Sequence, residues 1–222
     1  MTEEVFIKNK ESIREGFNKY TSKAFRMLPP LDKPQILDVG CGSGVPTMEV
    51  ARLSNGNITA IDIDPELIHR LEAKIETSGL SDRIKAITCS MFDMDFPEES
   101  FDVIWCEGAI EPIGFERGLT EWGRYLKKGG FLTVHDEKGD IRQKLDYIAT
   151  SGYELLGYFS LDEQTWRNGY YFPMQRLINE ARDQSADDSE ALSLLDKEQE
   201  EIDWFKKNPT RCCSVYFVLR KR

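Results

Sequence analysis

Apolar positions along this chain switch repeatedly between two periods. Gln35-Ile36-Leu37-Asp38-Val39 is a compact run ending in glycines, and the stretch from Pro46 to Leu53 then spaces its apolar residues as a helix does. The exchange recurs. A strand over Ile58–Ile61 precedes a helix over Pro65–Thr77, and a third strand covers Ile84–Thr88. Further strands are expected at Phe101–Trp105, Phe131–Val134, Tyr153–Phe159 and Val215–Leu219. Leu119, Trp122 and Leu126 mark a helix that Gly129-Gly130 stops, and another helix spans Ile141–Thr150. Ahead of the first strand, Ile13, Phe17, Tyr20, Ala24, Met27 and Leu28 keep helical spacing as far as Pro29-Pro30. Strands alternating with helices in this way specify an α/β fold with a mostly parallel sheet.

About fifty residues separate the sixth and seventh strands. A structureless loop of that length does not suit a compact domain, so helices are expected there. Met174, Leu177, Ile178 and Ala181 share one helical face. A second helix has Asp187, Asp188 and Glu190 near its start and Lys206-Lys207, Asn208 and Pro209 at its end. The acidic run Glu198 to Asp203 is expected to form its solvated face. The reading is a single domain over 1–222: an N-terminal helix over 1–30, a ligand-binding core over 35–159, a helical insertion over 160–212 expected to form a lid, and a final strand over 213–222.

Charge narrows the partners. The 222 residues carry a net charge of −10, and such a surface repels phosphate backbones and anionic lipid. Neither nucleic acid nor a membrane is expected as a partner. No apolar run approaches the ~18–20 residues of a spanning helix, and Met1-Thr2-Glu3-Glu4-Val5 is acidic where a signal peptide is basic. Cysteines stand at 41, 89, 106, 212 and 213 with no Cys-x-x-Cys among them. Neither a disulfide framework nor a metal site is expected, and a cytoplasmic location follows.

The most informative stretch is Leu37-Asp38-Val39-Gly40-Cys41-Gly42-Ser43-Gly44. A strand runs into glycines and a helix begins at once, so a ligand can lie against the backbone beside unpaired N–H groups. Asp62, about twenty residues on at the end of the second strand, can accept hydrogen bonds from both hydroxyls of a ribose. Asp64, before Pro65, reads as a helix cap instead. A dinucleotide fingerprint needs glycine where Val45 stands.

Gly40-x-Gly42-x-Gly44 behind Asp38 resembles the class I S-adenosylmethionine-dependent methyltransferases. Ile61-Asp62-Ile63-Asp64-Pro65, Cys89-Ser90-Met91-Phe92, Phe96-Pro97-Glu98-Glu99-Ser100-Phe101-Asp102 and Leu126-Lys127-Lys128-Gly129-Gly130 are similar to later motifs of that family. Trp105-Cys106-Glu107-Gly108-Ala109-Ile110 and the segment Ile113 to Trp122 resemble a group of microbial small-molecule methyltransferases. The resemblance implies a Rossmann-like sheet in the order 3-2-1-4-5-7-6 with the last strand antiparallel. It also implies S-adenosylmethionine as cofactor, S-adenosylhomocysteine as product and a small-molecule acceptor. Asp38, Gly40, Gly42, Gly44, Asp62, Ile63, Ser90, Met91, Phe92 and Cys106 would hold the cofactor. The fourth strand lacks the Asn-Pro-Pro-aromatic turn used on amides and nucleobase amines.

Two residues are candidates for the chemistry: Glu107, which can orient or deprotonate an acceptor, and His135, on the same rim. Trp166, Tyr170 and Tyr171 are candidates for the acceptor pocket, as large apolar surfaces with polar handles. The rival readings are a non-catalytic cofactor-binding module and a protein-interaction domain of the same fold.

Overall fold

The computed structural model describes residues 1–184 and 189–222. Seven strands build one sheet: β1 (Gln35–Val39), β2 (Asn57–Asp62), β3 (Ile84–Thr88), β4 (Phe101–Glu107), β5 (Leu126–Glu137), β6 (Tyr153–Leu161) and β7 (Ser214–Lys221). Their order is β3-β2-β1-β4-β5-β7-β6. Pairs among β1 to β5 are parallel, and β7 runs antiparallel to both β5 and β6. This is the Rossmann-like order that the resemblance implies.

Adjacent strand residues point to opposite faces, and this divides the interior in two. Ile36, Val103, Trp105 and Tyr216 enter one core. Helices α1 (Glu3–Glu15), α2 (Asn18–Phe25), α3 (Val45–Leu53) and α4 (Pro65–Thr77) supply its outer side. Leu37, Val39, Ile104, Cys106 and Phe217 enter the other, under α5 (Phe115–Gly123) and α6 (Ile141–Thr150). The stretch between β6 and β7 is helical: α7 (Glu163–Trp166), a π-helical turn (Arg167–Tyr171), α8 (Phe172–Gln184), α9 (Ser189–Lys207) and a 3-10 turn (Pro209–Cys212). Met174, Leu177, Ile178 and Ala181 of α8 are buried in the first core.

Three details depart from the sequence reading. The N-terminal segment is two helices, broken at Gly16-Phe17, and the first begins at Glu3 behind a Thr2 cap. The helix carrying Leu119 and Trp122 ends at Gly123, and Leu126 already pairs with Phe101. Gly129, at φ +77°, therefore sits within β5 where the register against β4 shifts. Asp187 and Asp188 lie outside the described residues. Asp64 caps α4 as expected, accepting from the Glu66 N–H at 2.9 Å. Among the described residues no helix is long and apolar enough to cross a membrane, and no group of three or more ligating side chains is placed to hold a metal ion.

Candidate functional site

The turn between β1 and α3 gives its three glycines different work. Gly42, at φ +55°, lines a cavity, and a Cβ added there would meet nothing within 4 Å. Gly44, at φ +84°, faces no cavity, and a Cβ would stand 2.2 Å from a methyl of Leu71 in α4. It is a packing glycine that lets α4 close on the turn. Gly40 is pressed against Ala109, whose Cβ a substituent would meet at 2.2 Å. Asp62 holds the same turn in place: one carboxylate oxygen accepts from the Gly42 N–H at 2.8 Å and the other from the Asp64 N–H at 3.0 Å. Asp38 is buried and accepts from the Thr47 hydroxyl at 2.6 Å. Burial pushes its carboxyl up to about 7; the Thr47 bond opposes this, and the charges of Glu107 and Asp62 add to it.

Two cavities meet at Gly40 and Gly108. The smaller, about 370 Å³, is lined by Asp62, Ile63, Met91, Phe92 and the loop from Gly108 to Pro112. Ser90 lines it too, its hydroxyl oxygen accepting from the Phe92 N–H at 3.2 Å. The larger, about 620 Å³, runs from the Gly40–Ser43 turn past Glu107 to Tyr170. Its outer walls are α1 and α9. An elongated ligand with an apolar ring, a diol and a charged end fits this bent cleft: the apolar side chains and Asp62 lie in one arm and the open Gly42 backbone in the other.

Cys106 does not reach the cleft. Its side chain is fully buried in the opposite core, because a strand sends Cys106 through one face and its neighbours Trp105 and Glu107 through the other. Of the three aromatic residues expected at the acceptor pocket, Tyr170 lines the large cavity. Tyr171 stacks on Phe205 at 3.9 Å, its hydroxyl on the Cys212 sulfur, within the insertion's own core. Trp166 stacks on Phe17 and donates from its indole to the Ser214 hydroxyl at 3.0 Å, pinning α7 to β7.

Sheet register builds the inner end of the cavity. Glu107 of β4 pairs with His135 of β5, His135 with Tyr216 of β7, and Tyr216 with Phe159 of β6. The row stacks, with ring centroids 4.2 Å apart for His135–Tyr216 and 4.9 Å for Tyr216–Phe159. The Glu107 carboxylate accepts from the Thr21 hydroxyl at 3.0 Å, the Trp105 indole at 3.3 Å and the Tyr216 hydroxyl. Burial raises its pKa, while those bonds and the Arg14 charge pull the other way. His135 is buried and neither ring nitrogen has a hydrogen-bond partner. Burial, with the Arg14 charge, lowers its pKa to about 3, so the imidazole is neutral. Cys41 lines the cavity, but burial beside Asp38 and Asp62 raises its thiol well above the ordinary value.

The acidic run of α9 is not a wholly solvated face. Glu198 and Glu201 line the large cavity, and Glu198 pairs with Lys10 of α1 at 2.6 Å. The Glu201 carboxyl is raised by burial and bonded by Tyr170. Phe6, Lys10 and Arg14 of α1, one helical turn apart, also line the cavity, and their i, i+4, i+8 spacing is the sequence signal that places them on one face.

Residues 36–130 match a family model described as a methyltransferase domain. A sterol 24-C-methyltransferase of Gibberella zeae is 32% identical over 103 residues, which cover 46% of this chain and 27% of that protein. The chain spans 27% to 32% of the length of four of the curated relatives it matches. An S-adenosylmethionine-dependent methyltransferase from Thiobacillus denitrificans, solved with S-adenosyl-L-homocysteine, superposes with a TM-score of 0.72 at 18% identity over 92% of this chain and 91% of that one. The [4+2]-cyclase SpnF superposes with a TM-score of 0.73 at 21% identity, over 92% of this chain and 81% of that one. Both structural likenesses concern the fold.

Proposed function

We propose that this chain, whose residues 36–130 match a methyltransferase-domain model and whose sheet has the class I order, transfers a methyl group from S-adenosylmethionine to a small-molecule acceptor. The observation that carries the reading is the pair of cavities joined at Gly40 and Gly108, one arm apolar around Asp62 and the other ending on the Glu107 carboxylate. When bound, the cofactor supplies a methyl group already activated by a sulfonium. The chain's own part is to hold and align.

Asp38, once ionised, would favour the cofactor's ammonium, and the Gly40–Ser43 backbone lies open beside it. Asp62 has a carboxylate to offer the ribose, shared with the turn it already supports. Ile63, Met91 and Phe92 would flank the adenine, with Ser90 at its edge. At the other end, Glu107 is fixed by three donors from β4, β7 and α2, so it can orient an acceptor without moving itself. The enclosing walls from α1 and α9 would keep water from the aligned groups.

Calorimetry with S-adenosylmethionine and S-adenosylhomocysteine tests the cofactor, with NAD as the control. Both sulfur ligands should bind and NAD should not. Asp62→Ala should weaken S-adenosylhomocysteine about ten- to a hundredfold, since hydrogen bonds to a charged group are worth roughly 1.5–3 kcal/mol. Glu107→Gln should leave that affinity within about twofold while slowing release of S-adenosylhomocysteine with any acceptor found. Unchanged binding in Asp62→Ala, or full turnover in Glu107→Gln, would overturn the respective assignment.

A further inference from the structure

The large cavity is unevenly charged. Seven carboxylates line it against three cations, among the described residues. Two of the cations are engaged: Lys10 with Glu198 at 2.6 Å and Arg70 beside Glu3 at 3.9 Å. Arg14 stands over the Tyr170 ring at 5.7 Å. Its charge favours the ionised forms of both Glu107 and Glu201, which burial otherwise pushes toward protonation. A cleft with this excess concentrates cations and repels anionic ligands.

The inner end adds a second and independent feature. A void of about 10 Å³ lies between Glu107 and His135, and it shares Arg14, Val45, Pro46 and Glu107 with the large cavity. His135 lines this void at 6% exposure with both nitrogens unpartnered. Buried polar atoms nearly always have a partner, so an imidazole in this state has two hydrogen-bonding atoms to offer a ligand that enters the void. Being neutral, it offers one donor and one acceptor and does not repel a cation.

We propose that the acceptor is a small organic amine, its nitrogen bound where Glu107 and His135 meet and its positive charge drawn in by Glu107 and Glu201. The inference rests on the methyltransferase reading and names its substrate class. An amine nitrogen has the N–H groups to serve both the Glu107 carboxylate and the acceptor nitrogen of His135. Transfer of one proton from the bound ammonium to the Glu107 carboxylate frees the lone pair for attack, and the products are the methylated ammonium and S-adenosylhomocysteine. A hydroxyl can donate to Glu107 and accept from the His135 N–H, but it carries no positive charge for the acidic cleft to draw in. A carboxylate has no proton to donate and meets the same sign of charge. Phe6, Ile7, Leu67, Tyr170 and Leu194 give the body of the amine an apolar wall. Trp166 and Tyr216 close the far side of the void, so the nitrogen has no way past His135.

The test is calorimetric, on the full chain loaded with S-adenosylhomocysteine. The probes carry amine, alcohol and carboxylate head groups on matched benzyl and butyl bodies, at neutral pH. At least one amine should bind at least tenfold more tightly than its alcohol, and the carboxylates should not bind. Glu201→Gln should reduce amine affinity about tenfold, leaving the alcohol and S-adenosylhomocysteine unchanged. His135→Phe should remove the preference for the amine head group while S-adenosylhomocysteine still binds, which shows that the variant is folded. Alcohols or carboxylates that bind as well as the amines would overturn the proposal, as would silence from all probes on the loaded protein or a preference that survives both variants. If S-adenosylhomocysteine itself fails to bind the unmodified chain, the methyltransferase reading falls instead, and the proposal with it.

Discussion

Asp38 is a carboxyl held where water cannot reach it, with a hydrogen bond from the Thr47 hydroxyl and two other carboxylates near enough to oppose its charge. Its folded pKa is about 7 against an ordinary 3.8. Between those values the folded form keeps a proton that the unfolded chain releases. Its contribution to stability is therefore full below about pH 4 and is lost as pH rises toward 7 and above. At 1.36 kcal/mol per pKa unit the loss amounts to about 4 kcal/mol as an upper figure. Asp38→Asn should accordingly raise the melting temperature of the unliganded protein at pH 8 and have little effect near pH 4. On the proposed reading the same change should weaken S-adenosylhomocysteine binding in calorimetry, because the neutral amide behind the glycine turn gives no charge to the ligand's ammonium. A variant no more stable than the parent at pH 8 would show that Asp38 is ionised at no cost. The contrast with Asp62 is instructive. Asp62 has backbone N–H donors on both oxygens, one from Asp64 two residues on and the other from Gly42 in the glycine turn.

At the scale of elements, the β1–α3 turn separates stability from binding within three residues. Gly44→Ala meets two penalties, a left-handed backbone at φ +84° and the buried Leu71 methyl 2.2 Å from the new carbon. Together these should cost about 2–4 kcal/mol. Gly42→Ala meets only the backbone penalty, since its new methyl projects into open cavity. Thermal melts should therefore drop sharply for Gly44→Ala and by about 1–2 kcal/mol for Gly42→Ala. Calorimetry should show the larger loss of ligand affinity in Gly42→Ala, corrected for the folded fraction. If the two variants behaved alike in both measurements, the division of labour would be wrong. Much of this element was legible beforehand. The strand Gln35–Val39, the helix Pro65–Thr77 with its Asp64 cap and the glycine pattern are local in sequence, and the structure has all of them. The separate duties of the glycines were not legible. Leu71 lies 27 positions beyond Gly44 and Ala109 lies 69 beyond Gly40, and only the closed fold brings them together.

For the whole molecule, the cleft is completed by two helices far apart in sequence, whose Lys10 and Glu198 are 188 positions apart. Helix α1 and helix α9 face each other across it and are joined by Lys10 and Glu198 at 2.6 Å. Helix α1 is also tied to α4 through Glu11 and Lys74 at 2.7 Å. These are partly exposed pairs, each worth roughly 0–1 kcal/mol, so they tune an arrangement and do not lock it. The walls should consequently be among the first parts to open in the free protein. Amide exchange over 1–15, 160–184 and 189–207 should slow when S-adenosylhomocysteine and an acceptor bind together, read by mass spectrometry. Lys10→Met should quicken exchange in both α1 and α9 while shifting the global melt only slightly. Exchange that is slow at the start and indifferent to ligand would mark these helices as fixed walls.

The sequence by itself determined what is encoded within a few neighbouring residues. The alternation of strands and helices, the glycine turn, the capping aspartate and Asp62 at the end of β2 all follow from periodicity, backbone freedom and short spacing. Tertiary structure decided what depends on register and on contacts across the fold. Pairing of β4, β5 and β7 set Glu107, His135 and Tyr216 in one row, and the pleat sent Cys106 to the other face. The placing of α9 across the cavity from α1 turned Glu198 and Glu201 from apparent surface charges into the lining of a cavity. It also left Tyr171 in the insertion's core while Tyr170, one residue away, faces the ligand space. A charge or an aromatic ring has the same sequence signature in either setting; burial by distant segments fixes which it will be, and that is a property of the assembled chain.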